Sequence, residues 1–188
     1  MHKSITGLLL LVSATMLGQG QTIGIKYFGI SLHPKGDPQY RLMPYRLDNK
    51  GYVVVNFGGI VSYEYFLYRQ LFSIKFAQGF YSDSGGYPSG HTHIGFRAAL
   101  AKGKRGTLSF GFGPTFIYRK SWRFKEGYHD TGLFKTIGKV QHKFVWYGGE
   151  IEYNRQLSNR LDLSVHFLPG YPLVMSFGAG VRYWVRKE

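Results

Sequence analysis

The residues best equipped for chemistry gather in the middle of the chain. His91 and His93 are separated by one residue, so on an extended strand both rings project from one face. Ser82, Asp83 and Ser89 lie just before them, with His142 and His166 further along. A serine nucleophile needs an imidazole to take its proton and a carboxylate to orient that imidazole. Ser82 or Ser89 with His91 or His93 and Asp83 therefore contain the parts of a hydrolytic site. The same histidine pair could chelate a metal if His166 or Asp83 completed the set, but no clear third ligand is present. Hydrogen-bonded histidines of a protein interior are the favoured reading, and no metal or other cofactor is expected.

A second group is built for anions. Arg119, Lys120, Trp122, Arg123 and Lys125 combine cations with an amphipathic ring, the composition that suits lipid phosphate at an interface. Lys135 and Lys139 extend the group, against Glu126 and Asp130. The formal charge of +14 points the same way, toward acidic partners. With no cysteine in the chain, disulfides and thiolate metal sites are excluded. Gly111-Phe112-Gly113-Pro114 is not a phosphate loop, because it lies within a strand pattern with no helix after it.

The elements that must position these residues are strands. Thr107 to Arg119 alternates Leu108, Phe110, Phe112, Pro114, Phe116 and Tyr118 with Thr107, Ser109, Gly111, Gly113, Thr115 and Arg119, a period of two with one greasy face. The code recurs over Tyr52 to Tyr65, Ser73 to Tyr81, His93 to Ala101, Phe144 to Arg155, Leu161 to Phe167 and Leu173 to Val185. Within Phe144 to Arg155 it places Val145, Tyr147, Ile151 and Tyr153 outward and Trp146, Gly148, Glu150, Glu152 and Asn154 inward. Thr22 to Leu32 completes the set but slips phase, which predicts a bulge at Phe28-Gly29.

A soluble sandwich would also alternate, with its apolar face turned inward. Here small and charged residues crowd the second face, which suits the narrow interior of a small barrel, while 15 Tyr and 15 Phe suit lipid contact. The pattern predicts an all-β, eight-stranded antiparallel up-and-down transmembrane β-barrel occupying residues 21–188. Short turns at Leu67 to Gln70, Gly103 to Gly106 and Gln156 to Arg160 alternate with longer connections at His33 to Gly51, Ser82 to Ser89 and Lys120 to His142. Pro169 to Pro172 is a short exception. Residues 1–20 read as a signal peptide: basic Lys3, an apolar run from Ile5 to Leu17, then Gly18 and Gly20 before the expected cleavage ahead of Gln21. Export argues against nucleic acid and makes lipid and lipopolysaccharide the expected acidic partners.

With the chain start on the periplasmic side, inward residues sort by height. Lys26, Glu64, Lys75, Arg97, Glu150, Glu152, Asp162 and Arg182 fall in the middle and periplasmic half, four acids against four bases, and are expected to pair as a lumen-filling network. A conducting pore is the competing reading, though eight strands enclose little more than their own side chains. Tyr81, Ser82, Asp83, His91, His93, Arg119, His142 and His166 fall at the outer mouth.

Ser176-Phe177-Gly178-Ala179-Gly180-Val181-Arg182-Tyr183 resembles the C-terminal β-signal of outer-membrane proteins, although Trp184 to Glu188 follow it. That resemblance implies recognition by the barrel-assembly machinery. In size and strand count the chain resembles the small bacterial outer-membrane β-barrel proteins, which include adhesins, stabilising barrels and lipid A-modifying enzymes. His91-Thr92-His93 also resembles the His-x-Ser pair of the lipid A deacylases, with His93 where that family carries serine. The sequence thus predicts a Gram-negative outer-membrane protein with a structural or surface-binding role. A lipid A deacylase or acyltransferase working through His93, His91, Ser82 and Asp83 is the alternative.

Overall fold

The computed structural model describes residues 20–170 and 174–187. The expected signal peptide therefore lies outside the described residues apart from Gly20, as does the start of the last strand at Leu173. Chain order is β1 (Gln21–Leu32), β2 (Val53–Val55), β3 (Gly58–Tyr68), β4 (Phe72–Ser82), β5 (Pro88–Lys102), β6 (Gly106–Lys120), β7 (Lys135–Ile137), β8 (Val140–Gln156), β9 (Leu161–Gly170) and β10 (Val174–Arg186). Of these ten, β2 and β7 are three-residue additions on the outer loops. The other eight pair with their sequence neighbours, and β10 closes on β1 from Gln21↔Arg186 to Leu32↔Met175. The fold is an all-β, closed, eight-stranded antiparallel barrel.

Alternation assigns the two faces. Ile25, Val61, Phe76, Phe96, Phe112, Tyr153, Val165 and Val181 are exposed on the outside, one from each strand of the wall. Ser62, Ser73, Ser109, Asn154, Ser164 and Ser176 are buried on the inside with the charged residues. Closure satisfies the backbone around the circumference, so the apolar face is free to meet hydrocarbon rather than a second layer of protein.

Bulges adjust the phase of the wall. The register of β1 against β10 shifts between Phe28 and Ile30, at the expected bulge. The expected single strand from Tyr52 to Tyr65 is instead broken at Asn56-Phe57. Residues 53–55 leave the wall to pair with the top of β1, and Val54 is buried against Met43 and Trp122 of the outer loops. A further shift was not foreseen: Gly113 pairs with Gly148 but Thr115 with Val145, so Pro114 faces both Trp146 and Tyr147. Trp146, expected to point inward, is 73% exposed beside Tyr147 at 79%. Beyond the bulge the parity is reversed. Gln141 is fully buried, while His142, expected inside the mouth, lies against the outward ring of Phe116.

The short ends are tight turns. At Arg69-Gln70 the chain reverses in two residues, with φ of 42° and 56° and a bond from the Leu71 amide to the Tyr68 carbonyl of 2.7 Å.

Candidate functional site

The interior has two storeys. In the lower one, Lys75 Nζ donates to Glu150 at 2.6 and 2.8 Å and to Glu152 at 2.7 Å, and Lys26 pairs with both acids. Arg97 joins Glu64 at 2.8 Å and approaches Glu152 at 3.6 Å. Arg182 binds Asp162 at 2.8 and 3.1 Å and approaches Glu64 at 3.6 Å. Ser73 donates to Glu64 at 2.5 Å, and the Trp184 indole to Asp162 at 2.9 Å. All eight charged residues that alternation placed inward thus meet in one buried layer. The wall strand that sends no charge, β6, offers Gly111 instead, where a Cβ would stand 2.7 Å from the Arg97 stem. That glycine leaves the space the guanidinium arm crosses.

Three histidines begin the upper storey, each ring lying over a glycine (Gly79, Gly95 or Gly178) whose missing side chain makes room for it. His91 Nδ1 is 3.3 Å from the Tyr81 hydroxyl and His93 Nδ1 is 2.7 Å from that of Thr115. His166 is 1% exposed and neither of its ring nitrogens has a protein partner. Among the described residues, no group of three His, Cys, Asp or Glu side chains is arranged to hold a metal.

The candidate hydrolytic set does not assemble as the sequence suggested. Ser82 Oγ accepts the Phe57 amide at 3.1 Å. Asp83 is committed to its own hairpin, accepting the Gly85 and Tyr87 amides at 3.0 and 2.9 Å and the Trp122 indole at 2.6 Å. Burial pushes the Asp83 carboxyl up from its ordinary value, against the pull of these donors and of Arg119. No hydrogen bond joins Ser82 or Asp83 to His91 or His93, because the acid folds back into the turn that it caps.

The expected phosphate group is likewise dispersed. Trp122 is buried at 3% exposure, not displayed at an interface. Arg119 turns inward, bonds Gln141 at 3.0 Å and lies between the Trp122 and Phe134 rings at 4.4 and 4.1 Å. Lys120 and Lys125 share the Tyr87 ring at 4.7 and 4.4 Å, and Arg123 pairs with Asp130 at 2.5 Å. These contacts fold the long loop into a cap over the mouth.

Beneath the cap is a cavity of about 650 Å³. Its floor carries His91, His93 and Glu150, and Phe28, Ile60 and Leu168 provide apolar wall. The cap brings in three residues that strand periodicity does not single out. His33 Nε2 lies 3.2 Å from Ser84 Oγ, while His33 Nδ1 lies 3.4 Å from Asp37 Oδ2. The i,i+4 spacing of His33 and Asp37 around Pro34-Lys35-Gly36 was the one sequence signal available. Ser84 is 51 residues from His33 in the chain and carried none.

No protein-family model matches the chain, and neither does any curated protein. Among solved structures, the chain is similar to Ail, the attachment invasion locus protein of Yersinia pestis. The two are 12% identical over 88% of this chain and 97% of that one, with a TM-score of 0.46. A structure of Ail in complex with the heparin analogue sucrose octasulfate aligns at 14% identity over the same shares, with a TM-score of 0.43. The barrel itself is defined by the strand pairing of this chain.

Proposed function

We propose that the protein is an integral barrel of the Gram-negative outer membrane, exported by its leader and inserted by the barrel-assembly machinery. In this reading the lumen is closed, and the outer loops bind lipopolysaccharide or another anionic surface partner. The observation that carries the reading is the inversion of polarity across a closed wall. Ile25 at 60%, Phe96 at 61% and Leu100 at 63% face outward, while eight charged side chains are buried inside. In water that arrangement would expose apolar surface all round and bury charge within; hydrocarbon reverses the first cost, and pairing offsets the second.

The charge balance supports a surface partner. Four acids and four bases cancel within the lumen, so the net positive charge of the chain comes from residues other than these eight. Lys35, Arg41, Arg46, Lys50, Lys139 and Lys143 add to the cations of the cap on the outer side. Eight strands enclose little more than their own side chains, which argues against conduction.

Outer-membrane fractionation, gel mobility before and after boiling, and planar-bilayer conductance test this reading. The expected result is an outer-membrane protein with heat-modifiable migration, no steady channel current, and salt-sensitive retention on lipopolysaccharide vesicles. A protein that stays soluble without detergent, or that conducts steadily, would overturn it.

A further inference from the structure

We infer that Ser84, His33 and Asp37 form an acyl-ester hydrolase site in the cavity under the cap, acting on the phosphate-bearing lipids of the membrane that holds the barrel. The substrate assignment rests on the membrane reading above; the serine chemistry does not.

Among the described histidines, His33 is singular in having an acid at one ring nitrogen and a serine hydroxyl at the other. The chain builds this locally. His33 follows the last residue of β1, and its amide bonds the Tyr52 carbonyl at 2.8 Å. Gly36, at φ 69°, returns its amide to the His33 carbonyl at 2.8 Å and closes the turn that brings Asp37 back to the ring. Asp37 Oδ1 accepts the Gln39 amide at 2.8 Å, which leaves Oδ2 for Nδ1. Burial alone would raise the Asp37 carboxyl. The bond from His33 and the Gln39 amide instead hold it below the usual carboxylate range, so the acid is ionised. An ionised partner at Nδ1 fixes the proton there and leaves Nε2 as the acceptor facing Ser84.

Ser84 is held as firmly. It occupies the hairpin after β4, where Asp83 gathers the Gly85 and Tyr87 amides and is itself clamped by the Trp122 indole. A Cβ at Gly85 would stand 2.6 Å from the Trp122 ring, so that residue must be small for the cap to close over the serine. Asp83 is thus a positioning residue for Ser84, not the acid of the relay. His33 and Ser84 are each 7% exposed, and both line the 650 Å³ cavity, within the ~300–1,000 Å³ of small-molecule sites.

The cavity also borders the upper edge between β8 and β9. Pairing of β8 with β9 ends at Ile151↔Phe167, although β8 continues upward beside β6. Gly148, Gly149, Leu168 and Pro169 border the cavity beyond that point. Pro169 has no amide to donate, which suits the free edge of a strand. The same cavity carries the apolar wall of Phe28, Ile60 and Leu168, which suits the hydrocarbon chain of a lipid. Arg119 and Lys143 border the same cavity and match a phosphate on the headgroup.

The reaction balances without a cofactor. Ser84 Oγ attacks the ester carbonyl carbon as its proton passes to His33 Nε2. The carbon–oxygen bond to the lipid alcohol then breaks, and that alcohol leaves with the proton from His33. Water attacks the acyl-Ser84, returning a proton to His33, and the hydroxyl departs as part of the fatty acid when Ser84 regains its own hydrogen. One ester and one water become one acid and one alcohol.

The test uses the full-length barrel folded in detergent, with folding verified by heat-modifiable migration. A long-chain alkyl fluorophosphonate should label Ser84, as read by peptide mass. Labelling should be abolished by Ser84→Ala and should slow by about 10²–10⁴-fold in His33→Gln, the span typical of losing a general base. Unlabelled Ser84 in the folded wild type, or labelling indifferent to His33→Gln, would overturn the serine relay, and the wild-type result decides even if a variant fails to fold. Fatty-acid release is then followed from phosphatidylglycerol vesicles in one arm and from purified lipid A in the other. Release in either arm, lost in Ser84→Ala, supports the lipid substrate and identifies its source. A labelled Ser84 with no release from either overturns the substrate class. Failure of the membrane reading is seen separately, as a soluble protein with no heat-modifiable form.

Discussion

Glu152→Gln removes one charge from the lumen while preserving the shape of the side chain. Glu152 is 1% exposed and stands among three cations: Lys26, Lys75 at 2.7 Å and Arg97 at 3.6 Å. With an amide at 152, those cations are left with Glu150 and Glu64, and the layer carries an uncompensated positive charge away from water. Breaking a buried pair by removing one partner costs about 3–5 kcal/mol, roughly a hundred- to several-thousand-fold in the unfolding equilibrium. The exposed Arg123–Asp130 pair supplies the contrast, since Asp130→Asn should leave the unfolding equilibrium close to that of the wild type although its contact is 2.5 Å. Reversible urea unfolding in lipid vesicles, followed by tryptophan fluorescence and by gel mobility, measures both. Adding Lys26→Met to Glu152→Gln restores neutrality and should recover more than half of the loss. A cost below about 1 kcal/mol for Glu152→Gln, or additive losses in the double variant, would refute the view that charge balance holds the lumen.

Three further outcomes follow from the geometry. At the Arg69-Gln70 turn both residues adopt positive φ, a conformation costing non-glycine residues roughly 1–2 kcal/mol each, so Gln70→Gly should stabilise the barrel by about 1 kcal/mol in the same unfolding assay. Because Asp37 is held below its ordinary 3.8, its contribution is present above that pH and is lost as pH falls through the depressed value. Protection from amide exchange at residues 33–39, relative to the intrinsic rate at each pH, should therefore fall at acid pH in the wild type, and Asp37→Asn should flatten that dependence. A Cβ at Gly149 would stand 3.3 Å from Pro169 Cγ, so Gly149→Leu should crowd the border of the cavity beside Pro169. Labelling of Ser84 by a long-chain fluorophosphonate should then slow at least tenfold, while a methyl analogue reacts unchanged.

The eight charges of the lumen were legible because alternation is local. Lys26, Glu64, Lys75, Arg97, Glu150, Glu152, Asp162 and Arg182 each lie at an inward position that needs only neighbours two residues away to identify. Closure then leaves such residues nowhere to go except toward one another. The bulge at Phe28-Gly29 could be read for the same reason, since it breaks the alternation of its own strand. The one opposite Pro114 could not. It turns Trp146 outward beside Tyr147, and two adjacent aromatic residues leave no mark on the greasy pattern while the parity of Gln141 and His142 is reversed.

The sequence by itself determined the wall, its inside and outside and the composition of its filling, because a two-residue period and chain closure leave little freedom. Only the tertiary structure decided which histidine meets which hydroxyl. His33 and Ser84 belong to different loops, and their 3.2 Å approach depends on two turns and on Trp122 clamping Asp83 from a third loop. Such contacts are set by how connections fold over a rim. Side chains there follow no period, so the histidines conspicuous in the strands, His91 and His93, drew attention from the one the loops had equipped.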